Sequence, residues 1–133
     1  MKKIEHIGVA VKDIDAANKV FKKIFGKAPY KIETVKSEEV ETSFFQIGDS
    51  KLELVAATNE NSTISKYLSN NKQGLHHIAF DVEDIFIEIA RLKEEGFRLL
   101  NDTPKKGADN KLICFLHPKD TNGVLIELCQ EIK

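Results

Sequence analysis

Two histidines and two glutamates recur at matched places in this 133-residue chain, His6 with His77 and Glu53 with Glu127. The segment Ile4-Glu5-His6-Ile7-Gly8-Val9-Ala10-Val11 is echoed by Leu75-His76-His77-Ile78-Ala79-Phe80-Asp81-Val82 at an offset of 71, and Asp13-Ile14 by Asp84-Ile85. A second pair, Lys51-Leu52-Glu53-Leu54-Val55 and Leu125-Ile126-Glu127-Leu128-Cys129, matches at an offset of 74. Each half thus carries a His at its start and a Glu at its end. One His or one Glu in a strand is ordinarily a satisfied or solvated residue. Four at repeated positions are a different matter, because two ionised carboxylates gathered on one face are costly unless a cation compensates them. Mixed imidazole and carboxylate donors suit one first-row divalent ion, Co, Ni, Mn or Zn, with positions left open to water.

The elements that must position these groups are read from periodicity. Residues 3–11 alternate, with Ile7, Val9 and Val11 on one face and His6, Gly8 and Ala10 on the other. Asp13 is a good N-cap, Ile14, Ala17, Val20, Phe21 and Ile24 recur at helical spacing, and Gly26 ends the run. Strands are expected at 31–35, 40–47 and 52–56, the last two joined at Gly48-Asp49-Ser50. After a polar junction at 59–73, which holds a short amphipathic helix through Ile64, Tyr67 and Leu68, the order repeats. A strand is expected at 75–82, a helix from Asp84 to Gly96, a short strand at 97–100, and strands at 112–116 and 124–129. Pro104 to Asn110 reads as a mobile loop that cannot be a strand.

The expected fold is α+β: one domain over 1–133, built from two βαβββ modules (1–58 and 74–133). Glu53 lies between Leu52 and Leu54, and Glu127 between Ile126 and Leu128, so each carboxylate should face away from its apolar neighbours. The four polar groups then converge on a helix-free concave face, a shared metal-binding cup.

Composition sets the outer limits. Lys+Arg number 20 against Asp+Glu 21, a net charge of -1, so there is neither a basic stripe for nucleic acid nor an acidic tail. With 41% hydrophobic residues, no apolar window near the ~20 residues of a membrane span and no signal-peptide pattern, the expectation is a cytoplasmic globular protein. Cys114 and Cys129 are expected as buried free thiols.

The chain resembles the vicinal-oxygen-chelate superfamily of paired βαβββ modules, and within it the methylmalonyl-CoA epimerase family. The resemblance covers nearly the whole length. It rests on residues 4–11, on 48–54, on Gly74-Leu75-His76-His77-Ile78-Ala79, and on Phe115-Leu116-His117-Pro118-Lys119-Asp120 with Gly123-Val124-Leu125-Ile126-Glu127-Leu128. It implies a metal held by His6, Glu53, His77 and Glu127, an acyl-CoA substrate and a homodimer, for which Phe44-Phe45 offers an apolar edge. His76 is off the repeat register and should face the other side.

The resemblance further implies epimerisation at C2 of methylmalonyl-CoA through a metal-stabilised enolate. Inversion needs a base on one face and an acid on the other. Glu127 is the first candidate. The family's second glutamate falls on Thr42, which leaves Glu53 as a detachable ligand, Glu38, or a water on the cation. Two other readings use the same residues. Glyoxalase I, a lactoylglutathione lyase of the superfamily, shares the ligand set, although only Arg91 and Arg98 are present to grip glutathione carboxylates. A binding module that sequesters a ligand is the third.

Overall fold

The computed structural model describes residues 1–133. In chain order it contains β1 (Lys3–Ala10), α1 (Ile14–Phe25), β2 (Lys31–Val35), β3 (Val40–Ile47), β4 (Ser50–Ala57), α2 (Thr63–Asn70), β5 (Gly74–Asp81), α3 (Ile85–Glu94), β6 (Lys105–Lys106), β7 (Lys111–Phe115) and β8 (Ile126–Glu131). No helix is long and apolar enough to cross a membrane.

The helices begin and end for local reasons. The Asp13 carboxylate accepts from the Ala16 amide to start α1, and Gly26, at φ 75°, lets the chain leave in the left-handed region while its N–H satisfies the Lys22 carbonyl. Asp84 caps α3 through the amides of Phe86 and Ile87, and Ser62 caps α2 through Ser65. An Asp or Ser cap of this kind contributes about 1 kcal/mol.

One strand stands elsewhere than its pattern suggested. Residues 97–100 form no strand and make only the isolated bridge Leu99 to Leu116. The short strand is instead β6, inside the segment read as a loop, with Lys105 opposite Ile113 and Lys106 opposite Leu112. Asp109 and Asn110, both near φ 55°, make the turn that folds it back, and these two residue types tolerate positive φ better than most. Gly107 packs closely in the hairpin: a Cβ there would stand 2.7 Å from the Ile113 side chain, which would have to shift to admit it.

The chain forms two compact units, Ile7–His76 and Met1–His6 with His77–Lys133. In Ile7–His76 the hydrogen-bonded order is β2-β3-β4, with the later part of β1 beside β4. α1 lays Ile14, Ala17, Phe21 and Phe25 on Val11, Phe45, Leu54 and Ala56. Phe44 and Phe45 are 1% and 0% exposed, so they are core rather than an edge open to a second copy. Phe45 meets Phe21 and Phe25 at centroid distances of 6.3 and 5.3 Å, which uses its face within its own unit. The opposite side of this sheet also carries a helix. Ile64 of α2 packs with Ala10, Val40 and Val55, so the face that bears Glu53 in the alternation is helix-covered at one end rather than bare. The junction is the cause: its Ile64, Tyr67 and Leu68 form an apolar stripe that had to be buried somewhere.

In the other unit β5 pairs parallel with β8, which runs antiparallel to β7, and β7 to β6. The first residues of β1 lie beside β5, with the Lys2 amide donating to the Asp81 carbonyl at 2.8 Å. Ile85, Ile89 and Leu92 of α3 bury against Val82, Cys114, Leu116 and Leu128. A fully buried Leu such as Leu128, 0% exposed, contributes about 1.5–3 kcal/mol through the area it removes from water. The other face holds a smaller cluster of Ala79, Ile113, Cys129 and Phe115.

Candidate metal centre

His6, His77 and Glu127 meet on the face of the sheet turned away from α3. Their positions follow from strand parity. On β8, Ile126 and Leu128 go to the α3 core, and Glu127 between them goes to the other side, 4% exposed. Its register partners are Ala79 on β5 and Phe115 on β7. Ala79 is small enough to leave space above the sheet. His77, two residues before Ala79, shares that face and is 6% exposed, and the Phe115 ring stands edge-on to it at 6.1 Å and 87°. His6 is 5% exposed on β1.

The Nε2 atoms of His6 and His77 are 3.1 Å apart, with the rings at 89°. Glu127 spans them, Oε2 at 3.6 Å from His6 Nε2 and Oε1 at 3.5 Å from His77 Nε2. One donor atom from each of the three lies within 4.8 Å of the others. A metal ion about 2.1 Å from each donor would separate adjacent ligands by about 3.0 Å in octahedral and about 3.4 Å in tetrahedral geometry. The observed separations, 3.1, 3.5 and 3.6 Å, lie within about 0.6 Å of these values. A buried carboxylate facing two imidazole nitrogens also has the donor chemistry that a divalent ion compensates, so residues and group fit.

Two further residues touch the centre that the sequence reading did not select. Glu5 is 2% exposed, and its Oε1 lies 3.3 Å from His6 Nδ1. Strict alternation assigns neighbouring strand residues to opposite faces, so the sequence pattern carries no signal for a glutamate beside a ligating histidine. Donor atoms of Glu5, His6 and Cys129 also fall within 4.8 Å of one another. Burial pushes the Cys129 thiol well above its ordinary range, and the carboxylates of Glu127, Glu5 and Asp81 push it further. Cys129 and Cys114 are both buried and free, as their apolar surroundings suggested.

The remaining candidates are placed as follows. Glu53 belongs to the other unit, on β4 opposite Phe44, 6% exposed, and its neighbours Leu52 and Leu54 pack toward α1. Thr42, 2% exposed, has its hydroxyl 3.3 Å from the Glu33 carbonyl, to which it donates. Glu38 is not on a strand: it closes a 3-10 turn over Lys36–Glu38, so strand parity says nothing of its direction. His76 stands outside the metal group, its ring edge-on to Tyr67 at 4.7 Å. In the His117-Pro118-Lys119-Asp120 stretch, the Asp120 carboxylate accepts from the Arg98 amide at 2.9 Å, from Nε at 3.0 Å and from Nη2 at 2.7 Å. Arg98 is thus engaged within the protein. The bonded guanidinium holds the Asp120 carboxyl down at about 2.

Residues 5–115 match the family model described as glyoxalase/bleomycin resistance protein/dioxygenase superfamily. The chain is 38% identical over 130 residues to an ethylmalonyl-CoA/methylmalonyl-CoA epimerase of Cereibacter sphaeroides, covering 96% of this chain and 97% of the relative. It is 35% identical to the mitochondrial methylmalonyl-CoA epimerase of Homo sapiens, covering 96% of this chain and 73% of the relative. Among solved structures, a Streptomyces coelicolor methylmalonyl-CoA epimerase variant in complex with 2-nitronate-propionyl-CoA superimposes with a TM-score of 0.95 at 35% identity. That match covers 98% of this chain and 95% of the other. The α+β glyoxalase-like fold is therefore shared.

Proposed function

This chain belongs to the glyoxalase/bleomycin resistance protein/dioxygenase superfamily, and from that membership and its epimerase relatives we propose that it inverts C2 of methylmalonyl-CoA by proton abstraction at a metal centre. It is an enzyme, an isomerase acting on that thioester, as the relatives' names describe for them. The observation that carries the metal reading is the convergence of buried His6, His77 and Glu127 on one point.

His6 Nε2, His77 Nε2 and the Glu127 carboxylate would hold the ion. Glu53, the counterpart of Glu127 in the sequence repeat, is proposed as the fourth ligand on that repeat. A divalent cation so held supplies fixed positive charge for the oxygen that becomes anionic when C2 is deprotonated. The chain's own groups do the rest. The C–H bond at C2 breaks, its electron pair delocalises into the thioester carbonyl, and the proton passes to a carboxylate oxygen of Glu127. An acid on the other face of the planar enolate returns a proton and inverts the centre. Glu53 is the candidate for that second role. The Thr42 hydroxyl cannot fill it, being no base near neutral pH and already bonded to the Glu33 carbonyl.

The assembly proposed is a homodimer, on the family's pattern and on exposed side chains such as Phe86 and Ile87, 59% and 66% exposed. Sedimentation at micromolar concentration should show a dimer-sized species, and a monomer alone would reject it.

The function is tested by offering methylmalonyl-CoA in D₂O and, in parallel, the glutathione hemithioacetal of methylglyoxal. Epimerisation with deuterium entering at C2, and no turnover of the hemithioacetal, is expected. Turnover of the hemithioacetal alone would make the protein a lyase, and metal binding with no exchange in either arm would make it a binding module.

A further inference from the structure

We propose that Glu5 is a positioning residue that fixes the tautomer of His6, holding the proton on Nδ1 so that the Nε2 lone pair faces the metal centre. The inference rests on the reading of His6 as a ligand.

A neutral imidazole carries one N–H, and the two ring nitrogens of His6 face different partners. Nδ1 lies 3.3 Å from Glu5 Oε1, and Nε2 lies 3.1 Å from His77 Nε2 and 3.6 Å from Glu127 Oε2. Glu5 and His6 are 2% and 5% exposed, so water cannot relieve a mismatch at either nitrogen. With the proton on Nε2, the Nδ1 lone pair would point at a buried carboxylate oxygen, two acceptors face to face. With the proton on Nδ1 the same contact becomes a hydrogen bond to an anion, among the stronger kinds available in a protein. The Nε2 of His6 is then an acceptor, and the 3.1 Å contact with His77 is satisfied when His77 donates. The shortest carboxylate contact of the His6 ring, the one at Nδ1, is the one that favours this tautomer: Glu5 Oε1 stands at 3.3 Å from Nδ1, whereas Glu127 Oε2 stands at 3.6 Å from Nε2.

The consequence for binding is twofold. With the His6 lone pair already aimed at the ion, only the His77 Nε2 proton has to leave when the ion arrives, and a carboxylate behind the ring raises the basicity of the ligating nitrogen. Losing such a partner typically weakens metal binding about 10–100-fold. Nothing in this requires Glu5 to touch substrate. Its effect passes through His6.

The test uses full-length protein labelled with ¹⁵N-histidine. Long-range ¹H–¹⁵N spectra of the metal-free protein report which nitrogen of His6 is protonated, and competition with a chelating dye reports the affinity for Zn(II) and Co(II). In the wild type, His6 should be the Nδ1–H tautomer, and finding Nε2–H there overturns the proposal without any variant. Glu5→Leu keeps the volume and removes the acceptor; Glu5→Asp withdraws the carboxylate by one methylene and serves where leucine is not tolerated. Both should lose the single Nδ1–H signature and bind metal 10–100-fold more weakly, with unchanged stoichiometry at saturation and native circular dichroism. A folded variant with wild-type tautomer and affinity overturns the proposal. If the wild type binds neither ion, the metal reading fails, while the ¹⁵N spectra still decide what Glu5 does to His6.

Discussion

His6 Nε2 and His77 Nε2 stand 3.1 Å apart although 71 residues separate them in the chain. Two buried basic nitrogens at that distance share a proton or a metal ion, and the Glu127 carboxylate within 3.6 Å of both favours a positive group between them.

The sharpest consequence concerns metal content. His77→Ala removes one donor from a buried set of few, and the purified variant should hold well under a tenth of an equivalent of divalent metal by elemental analysis, while the wild type holds about one. A full equivalent, tightly held in the variant, would strike His77 from the ligand set.

Replacing Glu127 separates ligand from base. Glu127→Gln keeps an oxygen donor and the volume but removes the proton acceptor, so metal should remain while turnover falls ~10²-fold or more. Following C2 deuterium in D₂O identifies the face affected. Wild-type exchange with both epimers would leave Glu127 a ligand and nothing more.

Glu53→Gln is the companion measurement, read by the same exchange and by metal content. Metal should be retained, because an amide oxygen still ligates, and exchange should be lost from one epimer if Glu53 is the second acid–base group. Full activity with both epimers would confine Glu53 to ligation and send the search for the second group elsewhere.

Acid stability should depend on the Arg98 and Asp120 pair. The pair lowers the Asp120 carboxyl from 3.8 to about 2 in the folded protein. A depressed carboxyl contributes its stabilisation above its unfolded pKa and loses it as pH falls toward the folded one, here between about 4 and about 2. Asp120→Asn should therefore lower the thermal midpoint at neutral pH and flatten its fall across that acid window. A midpoint profile parallel to that of the wild type would show that this exposed pair contributes nothing measurable.

Neither thiol should react in the native state. Burial raises Cys114 and Cys129 above the usual thiol range, so little thiolate is present at pH 8. A disulfide reagent should find no rapid equivalent until guanidinium unfolds the chain, and then two. One rapid native equivalent would contradict the placement.

How much of this was legible beforehand differs residue by residue. Asp13 and Asp84 announced their helices because a cap is a local event, complete within four residues. Glu127 was legible because Ile126 and Leu128 had to face the α3 core, and a period of two leaves the residue between them no choice. β6 was not legible: two lysines carry no strand pattern, and their pairing depends on the Asp109-Asn110 turn and on the space at Gly107. Phe44-Phe45 misled for a related reason, since adjacent aromatics in a strand read as an open edge until Phe21 and Phe25 are seen to cover one of them.

By itself the sequence determined the duplication, the two histidines and two glutamates it repeats, and the strand-and-helix order of each half, all properties of local periodicity and internal comparison. Only the tertiary structure decided that His6, His77 and Glu127 share one point, that Glu5 stands behind His6, and that α2 covers part of the face that bears Glu53. These are distances between segments remote in the chain or between side chains that leave strict alternation. They are set by which strands pair, by the space that small residues such as Ala79 leave above the sheet, and by where a spare apolar stripe finds cover.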